Sequence, residues 1–320
     1  MNGLIEWGAL AIIRPPRSCY DEKDLLDIIE IENYGSITRF PVHYDNSQGI
    51  LIKGSLYLPN DLSDPPPCVI YLHGNASCQL EGRFLIPLLV PLGIGVMCID
   101  TSGSGNSGGE YISLGAFEKD DVMKAIQYLN ESQNITRIAL WGRSMGAAVS
   151  LLSISECSQI ECAVVDSPFS SLSQLVKEIS KSSGIAGCFS GLVCKLVGNC
   201  VRSLANFDIN NVNPIQFAPK CQVPIRIIHA IHDSFINISH SRSLIQAYKC
   251  ADKELWEVPG EHNSERPRDI IINSIKFICG KFGKLFDESA LTKQIETSSN
   301  YHFAGLEDMI HSDEEEDNDL

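Results

Sequence analysis

Positive charge is scarce in this sequence of 320 residues. Lysine and arginine total 25, against 40 aspartate and glutamate residues, which gives a formal net charge of -15 at pH 7. A protein that binds nucleic acid needs a basic face to neutralise the phosphates. The composition therefore excludes a general nucleic-acid-binding protein, and we expect no nucleic-acid partner.

Long apolar runs are also absent. No stretch approaches the roughly 18 consecutive apolar residues that indicate a membrane-spanning helix. The apolar stretch Gly8–Ile13 is short, and Glu6 precedes it where a signal peptide carries positive charge. We therefore expect a cytoplasmic protein without a transmembrane segment. The N-terminal residues predict a helix packed on the body, with peripheral membrane contact as the alternative.

Cysteine is present, but not in the spacing of a metal site. The twelve cysteines include no Cys-x-x-Cys pair, so a zinc ribbon or a thioredoxin-type site has no support. Cys68, Cys98 and Cys162 lie inside apolar runs, where a thiol usually behaves as a small hydrophobic group. We interpret the cysteines as reduced and structural, and we expect neither a metal nor another cofactor.

Short β-rich runs alternate with longer helical patterns, which predicts an α/β fold with a mostly parallel sheet. The first two runs resemble an antiparallel pair, and the later runs are almost continuously apolar, as in strands covered by helices on both faces. The eight predicted strands are Ile37–Tyr44, Ile50–Leu58, Cys68–Leu72, Ile94–Ile99, Arg137–Trp141, Ile160–Val165, Ile225–Ile231 and Glu254–Val258.

Three domain segments follow from this pattern. Residues 1–34 form an N-terminal extension, residues 35–286 form the α/β domain, and residues 287–320 form a tail that we expect to be disordered. The tail holds eleven acidic residues and only one basic residue, Lys293. About 59 residues separate the sixth and seventh strands, far more than an ordinary connection of about 2–6 residues. We interpret residues 168–219 as a helical lid inserted after strand 6.

The motif that carries chemistry follows the fifth predicted strand. Residues 140–148 read Leu-Trp-Gly-Arg-Ser-Met-Gly-Ala-Ala, which is a G-x-S-x-G string between an apolar strand and a helix of small residues. This pattern is typical of a sharp turn that raises a serine hydroxyl above the sheet. It predicts Ser144 as the nucleophile and the backbone N–H of Met145 as an oxyanion donor.

The partners of Ser144 are expected later in the chain. The order nucleophile, acid, histidine places the acid after the seventh strand, where Asp233 lies, and the histidine after the eighth, where His262 lies. Asp166 is the alternative acid. The second oxyanion donor is expected after the third strand, where Gly74 permits a tight turn and Asn75 supplies the N–H.

Four other histidines compete for the role of base. We interpret His73, His229 and His232 as structural, because the base is expected late in the chain and because His229 lies inside a predicted strand. His240 lies on a predicted helix, where solvation is the ordinary state.

With these residues identified, the chain resembles the α/β-hydrolase superfamily, in the branch of serine aminopeptidase-like and lipase- or esterase-like serine hydrolases. The resemblance covers about residues 35–285 and rests on four strings of the sequence: His73-Gly74-Asn75, the glycine-rich loop 100–109, Asp166–Phe169 and Gly260–Ser264. It implies an eight-stranded hydrolase sheet and supports Ser144, Asp233 and His262 as the triad. In the glycine-rich loop, Thr101-Ser102 replaces the Tyr-Arg usual in the family.

The sequence thus predicts a serine hydrolase that cleaves an ester or thioester through an acyl-enzyme. The apolar composition of the lid favours a small-molecule acyl substrate, although the same side chains would also serve to pack lid helices on the body. A serine peptidase or aminopeptidase is the alternative within enzymes. A non-catalytic scaffold that acts through the acidic tail is the alternative of another class, and its partners are not identified by the sequence.

Overall fold

A nine-stranded sheet forms the centre of the molecule. The computed structural model describes residues 2–60, 64–182 and 190–297. The strands are β1 (Ile28–Ile31), β2 (Gly35–Asp45), β3 (Leu51–Tyr57), β4 (Cys68–Leu72), β5 (Gly95–Asp100), β6 (Ile138–Arg143), β7 (Ile160–Asp166), β8 (Ile225–Ala230) and β9 (Lys253–Val258).

The strands follow the order β1-β2-β3-β5-β4-β6-β7-β8-β9 across the sheet. Strands β4 to β9 are mutually parallel, whereas β1, β2 and β3 join the edge in antiparallel pairs. The predicted mostly parallel α/β sheet flanked by helices is therefore confirmed. Among the described residues the sheet has nine strands rather than the predicted eight, because β1 lies in the N-terminal extension and pairs with β2.

Helices cover both faces of the sheet. They are α1 (Asn2–Ile13), α2 (Ile86–Leu89), α3 (Glu118–Gln133), α4 (Met145–Ile154), α5 (Leu172–Ser182), α6 (Ser190–Ala205), α7 (Pro214–Phe217), α8 (Ser239–Ala247), α9 (Arg268–Phe282) and α10 (Glu288–Thr297). Successive side chains of a strand point to opposite faces. On β4, Ile70 and Leu72 accordingly pack in the cluster with α3 and α4, while Val69 and Tyr71 pack in the cluster with α9.

The N-terminal extension is tied to the glycine-rich loop that follows β5. The Arg17 guanidinium donates hydrogen bonds to the carbonyl oxygens of Gly105 and Gly109, at 2.8 and 3.1 Å. The hydroxyl of Tyr20 donates to the buried carboxylate of Asp100 at 2.5 Å. The extension therefore contributes to the ordered body and is not an appendage.

The insertion between β7 and β8 carries α5, α6 and α7. It leaves the sheet just after Asp166, at the carboxyl ends of the parallel strands, and its base is closed by a backbone hydrogen bond from Leu172 N to Val212 O. Residues 183–189 of the insertion lie outside the described residues. Whether the insertion acts as a lid stays a prediction.

The beginning of the acidic tail differs from the expectation of disorder from residue 287 onward. Residues 288–297 form α10, whose Leu291 and Ile295 are buried in the cluster with α9. These two apolar residues are one helical turn apart, which gives α10 a face to bury despite its acidic neighbours. Residues 298–320, the rest of the predicted tail, lie outside the described residues.

The docking of α10 can be measured through stability. We expect Leu291→Ala to lower the free energy of unfolding by about 2 kcal/mol or more, because it removes a buried side chain. Leu285 is 95% exposed in the same part of the chain. Leu285→Ala is the matched control, and we expect a change within about 0.5 kcal/mol. Urea unfolding measures both, and equal effects would contradict the packed position of α10.

Candidate active site

Ser144 occupies the sharp turn between β6 and α4. Its backbone has φ +52° and ψ -110°, a left-handed conformation that a residue with a side chain rarely adopts. Such strain persists only where the surrounding structure enforces it, and it clusters at functional sites. The Ser144 N–H donates to the carbonyl oxygen of Asp166 at 2.8 Å, which fixes the turn to the end of the neighbouring strand β7.

Two glycines make this turn possible. A Cβ atom on Gly142 would lie 2.2 Å from the carbonyl oxygen of Gly146, and one on Gly146 would lie 2.0 Å from the carbonyl oxygen of Leu72. Both distances are far below van der Waals contact. Strand β6, helix α4 and strand β4 therefore approach so closely that only glycine fits at either position.

His262 bridges Ser144 and Asp233. The His262 Nε2 atom lies 3.0 Å from the Ser144 hydroxyl oxygen, and His262 Nδ1 lies 2.7 Å from Asp233 Oδ2. Because Nδ1 faces a carboxylate, the proton is assigned to Nδ1, which leaves Nε2 as an acceptor for the hydroxyl proton. The three residues follow β6, β8 and β9, so the parallel sheet brings its carboxyl ends together there.

The carboxyl group of Asp233 is held in its charged form. Burial alone would raise its pKa, but hydrogen bonds from His229 and His262 and from the Ile236 N–H hold that pKa well below its usual range. Asp233 Oδ1 accepts the backbone N–H groups of Phe235 and Ile236 at 2.9 and 2.7 Å. The carboxylate is therefore both ionised and fixed in orientation next to the imidazole.

Two backbone N–H groups lie beside Ser144 as candidate oxyanion donors. Met145 begins α4, so its N–H is at a helix N-terminus, where the dipole favours negative charge. Asn75 lies in the loop after β4, next to Gly74. A Cβ atom added to Gly74 would lie 3.9 Å from the carbonyl oxygen of Arg143, so this loop runs beside the serine turn. No acceptor for either N–H appears among the residues that the structure describes. The structure thus brings together all five predicted site residues, and their roles stay predictions.

Comparison with known proteins agrees with this fold. Residues 63–206 match the family model described as serine aminopeptidase, S33. The chain is 28% identical over 222 residues to the uncharacterized protein YqkD of Bacillus subtilis, which covers 68% of this chain and 70% of that protein.

Solved structures of other proteins share this fold. The Pyrococcus furiosus esterase Pf2001 superposes with a TM-score of 0.62 at 22% identity, over 85% of this chain and 97% of that one. The acylaminoacyl peptidase of Pyrococcus horikoshii gives a TM-score of 0.61 at 15% identity, over 85% of this chain and 46% of that one. The chain therefore has the fold of the α/β hydrolases, and the matched family model and these structural neighbours are hydrolases.

The alternative acid, Asp166, has a different partner. Arg266 donates two hydrogen bonds to its carboxylate, at 2.8 and 3.0 Å, and both side chains are more than nine-tenths buried. The same guanidinium donates to the carbonyl oxygens of Glu261, His262 and Ser264, at 3.1, 3.1 and 2.7 Å. Asp166 and Arg266 therefore fasten the loop that carries His262 to the end of β7.

A second, largely buried ion pair supports the loop after β4, which carries the candidate oxyanion donor Asn75 and is called the oxyanion loop below. Arg143, directly before Ser144, lies 3.4 Å from Glu81 and donates to the Asn263 side chain at 2.7 Å. Glu81 accepts the Gly74 N–H at 3.1 Å and the Tyr71 hydroxyl at 2.8 Å. Burial would raise the pKa of Glu81, but the charge of Arg143 and hydrogen bonds from the Ser77 and Tyr71 side chains lower it below its usual value. The pair connects the serine turn, the oxyanion loop and the histidine loop.

Three of the four competing histidines are buried in structural surroundings, whereas His232 is exposed. His73 is buried, with Nδ1 2.7 Å from the Gly74 carbonyl oxygen, and its Nε2 accepts the Thr101 N–H at 3.2 Å. His229 Nε2 lies 2.8 Å from the Ile236 carbonyl oxygen and 3.4 Å from Asp233. His240 is buried rather than solvated, between Ser170 and Glu178. His73 thus links the oxyanion loop to the glycine-rich loop, and His229 supports Asp233.

Sequence reasoning missed three charged residues of the site: Glu81, Arg143 and Arg266. Arg143 stands inside the G-x-S-x-G string, which was a usable signal, but its pairing with Glu81 spans 62 positions. Arg266 pairs with a residue 100 positions away, and nothing in the sequence joins the two. Among the described residues, no group of three or more His, Cys, Asp or Glu side chains is arranged to hold a metal ion.

The Arg266 pair predicts a kinetic signature. Arg266→Lys keeps the positive charge beside Asp166 but loses the fork of hydrogen bonds that positions His262. We expect kcat on a small activated ester to fall by about 10–100-fold with KM nearly unchanged, because small displacements of a reacting group carry costs of that size. Steady-state kinetics of the folded variant measures the split.

Arg242→Lys provides the matched control. Arg242 also makes a two-bond pair, at 2.8 Å for each bond, but with the exposed Glu257 on the surface. We expect its kcat to stay near that of the wild type. An equal loss in both variants, or a change confined to KM in Arg266→Lys, would contradict the positioning role.

Proposed function

We propose that this chain hydrolyses an ester or thioester of an apolar acyl group, with Ser144 as nucleophile, His262 as base and Asp233 as the acid that orients it. The observation that carries the proposal is the continuous Ser144–His262–Asp233 hydrogen-bond chain, at 3.0 and 2.7 Å. These are the distances at which an imidazole takes a hydroxyl proton as the oxygen attacks.

The first half of the reaction forms an acyl-enzyme. The Ser144 oxygen bonds to the carbonyl carbon while its proton passes to His262 Nε2, and the carbonyl π electrons move to the oxygen. The N–H groups of Met145 and Asn75 stabilise that oxyanion. When the tetrahedral intermediate collapses, the bond to the alcohol or thiol breaks and His262 returns the proton to the leaving group.

The second half releases the acid. Water attacks the acyl carbon while His262 Nε2 takes one of its protons, and the bond to Ser144 then breaks as the serine oxygen regains a proton. Asp233 stabilises the imidazolium in both halves without accepting a proton, in keeping with its strongly lowered pKa.

The apolar side chains at the start of the insertion and an exposed aromatic ring next to His262 support an acyl substrate. Phe169, Leu172 and Val176, which begin the 168–219 insertion, belong with Met145 to one extended apolar core cluster. We place the acyl-binding surface there, with the insertion as its lid. On the other side, the half-exposed ring of Phe235 lies 5.2 Å from the His262 ring, where a leaving group would depart.

A peptidase is the second candidate, since the matched family model is described as a serine aminopeptidase and one structural neighbour is an acylaminoacyl peptidase. An aminopeptidase needs a carboxylate free to bind the substrate amino group. The two buried carboxylates beside the serine turn, Glu81 and Asp166, are each paired with an arginine. Because neither carboxylate is free to bind a substrate amino group, this pairing favours an esterase over an aminopeptidase. A scaffold acting through the tail would depend on residues 298–320, outside the described residues.

Labelling with a fluorophosphonate probe tests the nucleophile. We expect the wild type to be labelled and Ser144→Ala to be unlabelled. In a separate kinetic assay, we expect kcat for ester hydrolysis to fall on the order of 10⁴-fold or more in both Ser144→Ala and His262→Gln. Ser153→Ala is the matched control, because the Ser153 hydroxyl only donates to the Val149 carbonyl oxygen in the same helix α4. Labelling that persists in Ser144→Ala would overturn the proposal.

A series of esters with one leaving group and a growing acyl chain tests the substrate class. Each methylene that enters an apolar surface contributes about 0.8 kcal/mol. We therefore expect kcat/KM to rise by up to about fourfold per methylene until the surface is filled. Flat kcat/KM across the series, combined with faster cleavage of aminoacyl amides, would favour the peptidase instead.

A further inference from the structure

The oxyanion loop, residues 73–79, contains a strained backbone position. Ala76, directly after the candidate oxyanion donor Asn75, has φ +60°, a left-handed conformation that a residue with a side chain rarely adopts. Such a conformation persists only where the surrounding structure enforces it. The contacts that hold this loop in shape therefore bear on the direction of the Asn75 N–H.

The peptide group between Gly74 and Asn75 is fixed through its carbonyl oxygen. The Gly74 oxygen lies 2.7 Å from His73 Nδ1 and accepts the Ser77 N–H at 3.2 Å. Because a carbonyl oxygen can only accept, the proton of His73 is assigned to Nδ1 and donates to it. A trans peptide group is planar, with its C=O and N–H on opposite sides. The two hydrogen bonds to the Gly74 oxygen therefore also set the direction of the Asn75 N–H.

Both ends of the oxyanion loop are attached to the first two residues of the glycine-rich loop. At one end, the Thr101 N–H donates to His73 Nε2 at 3.2 Å, which agrees with a proton on Nδ1. At the other end, the Gln79 N–H donates to Asp100 Oδ1 at 2.6 Å. All four residues are almost fully buried. The position of the oxyanion loop therefore depends on Asp100 and Thr101.

Tyr20 of the N-terminal extension completes the surroundings of Asp100. Its hydroxyl donates to Asp100 Oδ2 at 2.5 Å and accepts the side-chain N–H of Gln79 at 2.5 Å. Burial and the adjacent Asp100 carboxylate raise the pKa of Tyr20, so the hydroxyl keeps its proton at neutral pH and remains a donor. One hydroxyl thus bonds both the carboxylate and the glutamine that anchor the end of the oxyanion loop.

Arg17 attaches the same extension to the rest of the glycine-rich loop. Besides the two glycine carbonyl oxygens described above, its guanidinium donates to the carbonyl oxygens of Ser104, at 3.1 Å, and Ser107. Four carbonyl oxygens of one loop are therefore held by one side chain. Arg17 and Tyr20 together fix the glycine-rich loop, which in turn carries the oxyanion loop.

We propose that Tyr20 is a positioning residue of the active site, which keeps the Asn75 N–H directed at the oxyanion. This inference rests on the proposed function, in which Asn75 is an oxyanion donor. Tyr20 does not touch the reacting atoms. It acts through Asp100 and Gln79, which fix the end of the oxyanion loop. An oxyanion donor is effective because its position is fixed before the charge develops, so a loosened loop weakens it.

Kinetics of Tyr20→Phe tests the proposal, because this change removes the hydroxyl and keeps the ring. We expect kcat for ester hydrolysis to fall about tenfold with KM nearly unchanged. This loss is smaller than the roughly 10²–10³-fold loss on removal of a donor, since the Asn75 N–H is displaced and not removed. The value of kcat is calculated per site titrated with the fluorophosphonate probe, so unfolded protein does not contribute.

Two substrates that differ only at the carbonyl group isolate the effect on the oxyanion. Sulfur accepts hydrogen bonds more weakly than oxygen, so a thionoester gains less from the oxyanion donors than the matched ester. We expect Tyr20→Phe to lower the ratio of kcat/KM for the ester over the thionoester about fivefold. A variant that is only less stable, or whose triad is misaligned, would lose activity on both substrates alike.

Tyr248→Phe is the matched control. The Tyr248 ring is also buried, and its hydroxyl donates to the Val223 carbonyl oxygen at 2.9 Å. Residues 223 and 248 precede β8 and β9, so this contact lies toward the amino ends of the strands, away from the site. We expect wild-type kcat and a wild-type ratio. If Tyr20→Phe does not fold, Arg17→Lys provides the test, because the exposed Arg17 holds the same loop.

Three results would overturn the proposal in a wild type that is labelled and active. They are an unchanged kcat per titrated site in Tyr20→Phe, equal losses on the ester and the thionoester, and the same fall in the ratio in Tyr248→Phe. A wild type that is neither labelled nor active on esters would overturn the proposed function, and this inference with it. The two failures are therefore distinguishable.

Discussion

The close approach of three backbone segments at Ser144 is the constraint on which the site depends. Strand β6 must turn into α4 within one residue while both lie against the end of β4. That geometry is possible only because Gly142 and Gly146 lack side chains. A Cβ atom added to either glycine would lie about 2 Å from a neighbouring carbonyl oxygen. The strained φ of Ser144 follows from this packing. The hydroxyl is thereby held above the sheet, within hydrogen-bond distance of His262, before any substrate arrives.

Two buried ion pairs then align the loops around that turn. Taking charges out of water is costly, and a buried pair adds little net stability compared with apolar packing. Asp166–Arg266 and Glu81–Arg143 are therefore better explained by geometry than by stability. Each guanidinium holds backbone or side-chain atoms of the His262 loop, and Glu81 holds the Gly74 N–H. The fork of donors on arginine suits this task, because it fixes direction as well as distance.

The features that can be predicted from the sequence are those determined by residues close together along the chain. The turn at Ser144 needs its glycines within two positions, and strands β4 to β8 are short, mostly apolar runs separated by helical patterns, so both are visible in a single chain. Strand β1 was missed because its four residues are stable as a strand only through pairing with β2. Helix α10 was missed because acidic composition concealed two apolar residues, Leu291 and Ile295, whose burial depends on the position of α9.

The same distinction, between features set by neighbouring residues and features set by packing, applies to the candidate active site. The proposed triad residues Ser144, Asp233 and His262 each lie just after a strand that the alternation of elements predicts, so they are accessible to sequence reasoning. The residues that position them are not, since Arg266 and Asp166 meet only after the sheet has formed.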